Sequence, residues 1–251
     1  MKALHVAGRE VTALLGSAIG WIVITAFSLV SGLVFFLAVY NYADASEHLV
    51  ARPYAEGALN FSDNLLWPFF SFQSLFLLFL LPGITMRLFS EELRQRTLEL
   101  LETSPISTFE IVIGKFLGAM GFVTILLALN GWGPLYLWFT SDVEPTLLLC
   151  GMAGVWLASA CIVSLGMAAS AATSHQVLAL VIAEAFAFFL LVLTGLEQLD
   201  STGVLSKLAI TPHLEDLTRG LLRASDMTYF LLFIVFFLLA TQQRLAIRRW
   251  T

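Results

Sequence analysis

The chain has 251 residues, 59% of them hydrophobic and only 12% charged, with a formal net charge of -5 and a mean hydropathy of +0.87. Soluble domains carry about 25% charged residues, so this composition excludes an ordinary soluble domain. The charge pattern also forms no basic, aromatic-interleaved surface of the kind a nucleic-acid partner needs.

Residues 11–43, 65–86, 116–141, 145–183 and 227–243 contain no charged side chain. A membrane span needs roughly 20 mostly apolar residues. The expected fold is therefore an all-α integral membrane protein, one domain over 1–251. It has six transmembrane helices, an N-terminal interfacial helix, a short charged helix on the cytoplasmic side and a short helix on the outer face.

In chain order, the first feature is an amphipathic segment. Leu4, Ala7, Val11, Leu14 and Leu15 share one face and Lys2, His5 and Arg9 lie elsewhere, which predicts an interfacial entry helix. A first span follows at about 17–40. It is too long for a signal h-region and has no A-x-A site after it, so it reads as retained. Residues 41–64 read as a polar loop carrying Asp44, Glu47, Glu56 and Asp63.

The second span, about 65–86, contains Pro82-Gly83 near its end. That pair is a possible hinge, or more simply the end of the helix. Residues 90–104 then form the most charged stretch of the chain, with Glu91, Glu92, Arg94, Arg96, Glu99 and Glu102. Ser90 is expected as N-cap, with Glu91 and Glu92 in the first turn. Leu93, Thr97, Leu100 and Leu101 share one face, and Pro105 stops the helix. Ser107 and Glu110 have capping-box spacing for the third span.

The third span covers about 110–139, where Gly114, Gly118 and Gly121 allow close helix packing, read as packing within the chain. The fourth and fifth, about 146–173 and 176–196, are separated by a tight turn at 173–176. Cys150 and Cys161 lie on one predicted helix, too far apart to bond, and read as packing residues. Glu184 falls within the fifth span. An acid there costs about 2.5–3.5 kcal/mol on insertion scales, so it is a candidate intramembrane functional residue or a packed, hydrogen-bonded one. In the outer segment 197–225, Thr211-Pro212 reads as the start of a short helix with Leu214, Leu217 and Leu221 on one face. The last span is about 226–243.

Six spans put both termini on one side. If that side is the cytoplasm, nine of the 13 basic residues lie inside and four outside, the bias the positive-inside rule requires. The expected location is a bacterial inner membrane, multi-pass, with cytoplasmic termini. His5, His48, His175 and His213 are scattered, and no pair has metal-ligand spacing. No histidine is mid-span and Glu184 is the only acid away from a span end, which disfavours an intramembrane hydrolase.

The stretch MRLFSEELRQRTLELLETSPISTFEIVIGKFLGAM, residues 86–120, resembles the signature region of type-2 ABC exporter permeases. The matching residues are Glu91-Glu92, Arg94, Thr97-Leu98-Glu99-Leu100-Leu101, Ser104-Pro105, Glu110-Ile111 and Gly114-Lys115. Many members have glycine where this chain has Arg96. Residues 211–250, with Pro212, His213, Arg219-Gly220, Asp226, Tyr229-Phe230 and Arg248-Arg249-Trp250, resemble the C-terminal end of the gliding-motility and copper-maturation permease subgroup.

The resemblance implies a permease subunit that is not itself an enzyme. The chain has no G-x-x-x-x-G-K-[ST] motif, so ATP and Mg²⁺ would be bound by a separate ATP-binding subunit, present as a dimer. A second copy of this chain, or a related one, would complete the pathway. The helix at 90–104 would be the coupling helix, with Glu91, Glu92, Arg94, Thr97, Glu99, Leu100 and Leu101 meeting the ATPase. The competing expectation is a non-transporting core that passes ATP-driven motion to a periplasmic or envelope partner.

Overall fold

The structure is a computed structural model that describes residues 2–51, 61–96, 107–140, 144–195, 207 and 209–248. Ten α-helices and no strand occur among the described residues. In chain order they are α1 (Lys2–Leu15), α2 (Ala18–Ala51), α3 (Trp67–Thr85), α4 (Arg87–Gln95), α5 (Thr108–Asn130), α6 (Trp132–Thr140), α7 (Pro145–Ala172), α8 (Gln176–Gly195), α9 (Ile210–Thr218) and α10 (Ala224–Arg248).

Six stretches are long and apolar enough to cross a membrane: Ala18–Glu47, Asp63–Gln95, Thr108–Asn130, Pro145–Ala172, Gln176–Gly195 and Ala224–Ile247. The molecule is therefore a helical protein of multi-pass membrane type. Several boundaries move from their sequence expectations, each for a local reason. α2 runs on to Ala51, through much of the expected loop, because no glycine or proline interrupts residues 33–52 and the first breaker is Pro53. A π-helical turn at Ser62–Leu66 leads into α3. Pro68, just after it, has no N–H to continue the α-helical ladder.

The expected single span at 110–139 is two helices. α5 ends at Asn130 and α6 starts at Trp132. Pro134 cannot donate to Asn130, and its ring crowds that carbonyl, so the helix breaks at Gly131.

α7 is the central helix, packed against α3, α5, α8, α9 and α10 and touching α4. Three of its glycines make this possible. A Cβ at Gly151 would overlap the Phe70 ring, and one at Gly166 would overlap the Thr85 side chain, both on α3. A Cβ at Gly154 would come within 3.1 Å of Leu214 and Leu217 on α9. The leucine face of α9 is thus turned onto α7 rather than onto lipid, and Leu221 lies beyond the helix, exposed. α9 begins at Ile210, with Thr211 and Pro212 inside its first turn. Proline is tolerated there because a first-turn N–H has no intrahelical partner. The helix ends in a Schellman turn: Gly220, at φ 78, donates to Leu217 O at 3.0 Å and Leu221 donates to Asp216 O at 2.9 Å.

α2 has apolar residues all round, so periodic burial cannot fix its rotation. One buried and one partly buried polar bond help to do so. Gln73 Nε2 on α3 donates to Ser31 Oγ at 2.8 Å, and Asn130 Nδ2 on α5 donates to Ser28 Oγ at 3.1 Å. Cys150 and Cys161 are buried free thiols.

Candidate functional site

α1 lies along α5 in the most extensive helix pairing among the described residues. The glycines of α5 set the distance. A Cβ at Gly114 would lie 2.7 Å from Val6 Cβ and 2.9 Å from Ala3 O, and one at Gly118 would lie 2.6 Å from Glu10 Cβ. The small-residue stripe therefore serves packing within the chain. The contacting face of α1 contains Val6, Ala7 and Glu10, whereas Leu4, expected on the apolar face, is exposed.

Lys115 follows Gly114 and is carried into this contact. Its side chain is 2% exposed. The ammonium donates to Glu10 Oε1 on α1 at 3.0 Å and to Glu92 Oε1 on α4 at 2.9 Å. It also lies 5.3 Å from the centroid of the Phe89 ring. Arg9 Nη2 adds contacts at 3.2 Å to Glu10 and 3.7 Å to Glu92. Two cations and two carboxylates thus join α1, α4 and α5 at one end of the bundle. A lysine this deeply buried requires such pairing to remain charged.

The start of α4 is held differently from the expectation. Ser90 is not the N-cap: the helix begins at Arg87, and Ser90 Oγ donates to Met86 O in the preceding turn. The free N–H groups of Phe89 and Ser90 each donate to Ser170 Oγ on α7 at 3.0 Å, and Ser170 Oγ donates to Met86 O at 2.8 Å. A residue some 80 positions away in sequence does the work of a local cap. Glu91 and Glu92 consequently fall in the second turn. α4 closes at Arg96, which adopts the left-handed conformation at φ 56 and donates its N–H to Glu92 O. The expected capping box at the start of α5 is present: Glu110 N–H donates to Ser107 Oγ at 3.2 Å, and Ser107 N–H donates to Glu110 Oε2 at 3.0 Å.

The residues singled out from sequence divide accordingly. Glu92 faces inward to Lys115. Glu91 accepts from Gln95 Nε2 at 3.2 Å, and Arg94 is exposed. Thr97, Glu99, Leu100 and Leu101 lie outside the described residues. Pro82 sits inside α3 and does not end it, since the helix continues to Thr85. A Cβ at Gly83 would meet nothing within 4 Å, so packing does not demand glycine there. Glu184 is half-buried on α8 and makes no hydrogen bond or ion pair among the described residues. Glu10, Lys115 and Ser170 are the members that sequence reasoning did not bring together. Lys115 beside a GxxxG stripe carried a signal; Ser170 carried none.

No protein-family model matches the chain. No curated protein matches it either. The fold and the cluster define a helical, multi-pass membrane type of protein with a short charged helix bolted to one end of the bundle.

Proposed function

We propose that this chain is the membrane subunit of an ATP-driven ABC transporter, of exporter type, in a bacterial inner membrane with both termini cytoplasmic. ATP and Mg²⁺ bind a separate ATPase dimer, and a second permease copy or a paralogue completes the pathway. The observation that carries this reading is α4. It is a short helix with a partly exposed charged face, and it is tied to the spans by Ser170 at its start and by Glu92–Lys115 along its length. An element that receives force from a soluble partner needs both features: a face free to dock and a stiff connection to what must move. The motif resemblance at 86–120 and the positive-inside bias support the same reading.

In this reading Glu91 and Arg94 contact the ATPase, together with Thr97, Glu99, Leu100 and Leu101, and Glu92 passes the displacement to Lys115. The test is co-purification of the full chain with its ATP-binding subunit from detergent. Wild type brings the ATPase down, and Glu91→Lys with Arg94→Glu loses it while keeping the same melting temperature. If wild type brings down no ATPase and instead a large envelope protein, the chain is a non-transporting membrane core and the exporter assignment is wrong.

A further inference from the structure

The opposite end of the bundle carries a second polar cluster, unconnected to the first. His213 on α9 and Asp226 at the start of α10 are 2.7 Å apart, Nδ1 to Oδ1. Asp226 is buried, and its Oδ2 has no hydrogen-bond partner among the described residues. The His213 ring stacks on Tyr229, with centroids 4.2 Å apart. Its Nε2 donates to the backbone carbonyl of Lys207 at 3.2 Å. A carbonyl only accepts, so this contact fixes Nε2 as the donor. The result is a chain of contacts from a buried carboxylate through an oriented ring to the backbone of Lys207.

That chain positions Lys207 at the edge of a cleft of about 500 Å³. The polar half of the cleft includes Lys207, Arg223, Asp216, Asp226 and His213, with the hydroxyls of Ser225 and Thr228, and the apolar half includes Tyr229 and Leu232. Its carboxylates are already engaged: Asp226 with His213, and Asp216 with Arg223 Nη1 at 2.5 Å. Lys207 makes no ion pair among the described residues, and Arg223 is more than half exposed. Ser225 Oγ donates to Asp226 Oδ1 and Thr228 Oγ1 to Ala224 O, so the donors left at the cleft are the Lys207 ammonium and the Arg223 N–H groups not bonded to Asp216, and these suit an anion.

The position along α10 adds the second half of the ligand. Arg223 precedes the charge-free run 227–243, whereas Leu232 lies roughly 13 Å further along, at about 1.5 Å per residue. The cleft therefore runs from the level of lipid headgroups into the hydrocarbon. Below it, Leu232, Val235, Phe236 and Leu239 continue as an exposed apolar strip on α10. We propose that this cleft binds the phosphate of a glycerophospholipid of the leaflet at this end of the bundle. Lys207 and Arg223 contact the phosphate, and an acyl chain lies along the α10 strip.

The full chain in detergent is titrated with dioleoylphosphatidylglycerol, and bound lipid is counted by native mass spectrometry. Wild type is expected to hold one lipid at concentrations where Lys207→Ala needs about tenfold more, the loss of one charge-assisted contact. Lys207→Glu should weaken binding further. Lys207→Ala breaks no described side-chain contact, so its melting curve should match wild type; Arg223→Gln serves as an independent second variant. Inorganic phosphate, added alone, should neither shift the melting curve nor displace the lipid. Equal lipid binding by wild type and both variants would overturn the proposal. So would a site filled by inorganic phosphate with no preference for the lipid.

Discussion

Lys115 Nζ on α5 lies 2.9 Å from Glu92 Oε1 on α4, and the same ammonium reaches Glu10 on α1 at 3.0 Å. One buried cation therefore sets the relative position of three helices. Removing it leaves two carboxylates facing each other with only the more exposed Arg9 beside them. Breaking a buried pair costs about 3–5 kcal/mol, and the partial exposure of both glutamates reduces this to roughly 2–3 kcal/mol. Lys115→Met should lower the melting temperature of the purified chain clearly, and Lys115→Met with Glu92→Gln should recover part of the loss. Additive losses in the double variant would show that the two groups do not interact.

The two glutamates of the acidic pair are expected to behave differently, although they are adjacent. Glu92→Gln weakens the Lys115 cluster and should lower stability. Glu91→Gln gives up one partly exposed bond to Gln95, worth no more than about 0.5 kcal/mol, and should leave stability unchanged. Under the proposed function, Glu91→Lys impairs ATPase association with no loss of folded protein. The measurement is a melting curve and a co-purification for each single variant. Equal destabilisation by both glutamine variants would contradict the inward and outward assignment.

Arg96 holds a left-handed backbone at φ 56, a conformation that costs a residue with a Cβ roughly 1–2 kcal/mol. Arg96→Gly removes that strain, though glycine also makes the unfolded chain more flexible. The expected net effect is a gain of up to about 1 kcal/mol, read as a raised melting temperature. Gly220, at φ 78 in the Schellman turn after α9, predicts the converse. Gly220→Ala should destabilise by about 1 kcal/mol, and by more if Leu147 cannot yield.

These positions also show what was legible in the sequence and what was not. The six apolar stretches, the capping box at Ser107 and Glu110 and the glycine stripe on α5 are local patterns, set by composition and short spacing, and each was readable. The break at Gly131 was written in Pro134 but masked by the unbroken hydrophobicity around it. The start of α4 could not be read, because Ser90 has the residue type of a cap and the actual cap is Ser170, supplied by a helix that reaches α4 only once the bundle is packed. The same holds for Lys115. Its sequence neighbours identify it as the edge of a span, while its partners Glu10 and Glu92 come from 105 and 23 residues away.

Ser170 permits a direct test of that non-local cap. Ser170→Ala leaves the N–H groups of Phe89 and Ser90 without their shared acceptor and leaves Met86 O with only the Ser90 hydroxyl as donor. Loss of a helix cap costs about 0.5–2 kcal/mol, and the burial of the site puts this one at the upper end. Ser170→Thr should retain the hydroxyl contacts but crowd α4, falling between the two. Hydrogen exchange at Phe89 and Ser90 should accelerate in Ser170→Ala more than exchange elsewhere in the bundle. A uniform acceleration would mean that Ser170 acts through packing alone.

Two glycines near the α3–α4 junction separate packing from motion. A Cβ at Gly166 would overlap Thr85, and the buried α3–α7 contact there has no flexible side chain to move aside. Gly166→Ala should therefore cost folded protein outright, as overpacking commonly costs about 1–3 kcal/mol. Gly83 faces open space, and Gly83→Ala should stabilise α3 by up to about 1 kcal/mol, the difference in helix propensity. If Pro82-Gly83 is where α3 bends during a transport cycle, that added stiffness appears as reduced coupled ATPase activity in a protein that melts at or above the wild-type temperature. Activity at the wild-type level in a stabilised Gly83→Ala would remove the hinge role. Under the proposed function, the displacement would then pass through Ser170 and Lys115, the two contacts that tie α4 to α7 and α5.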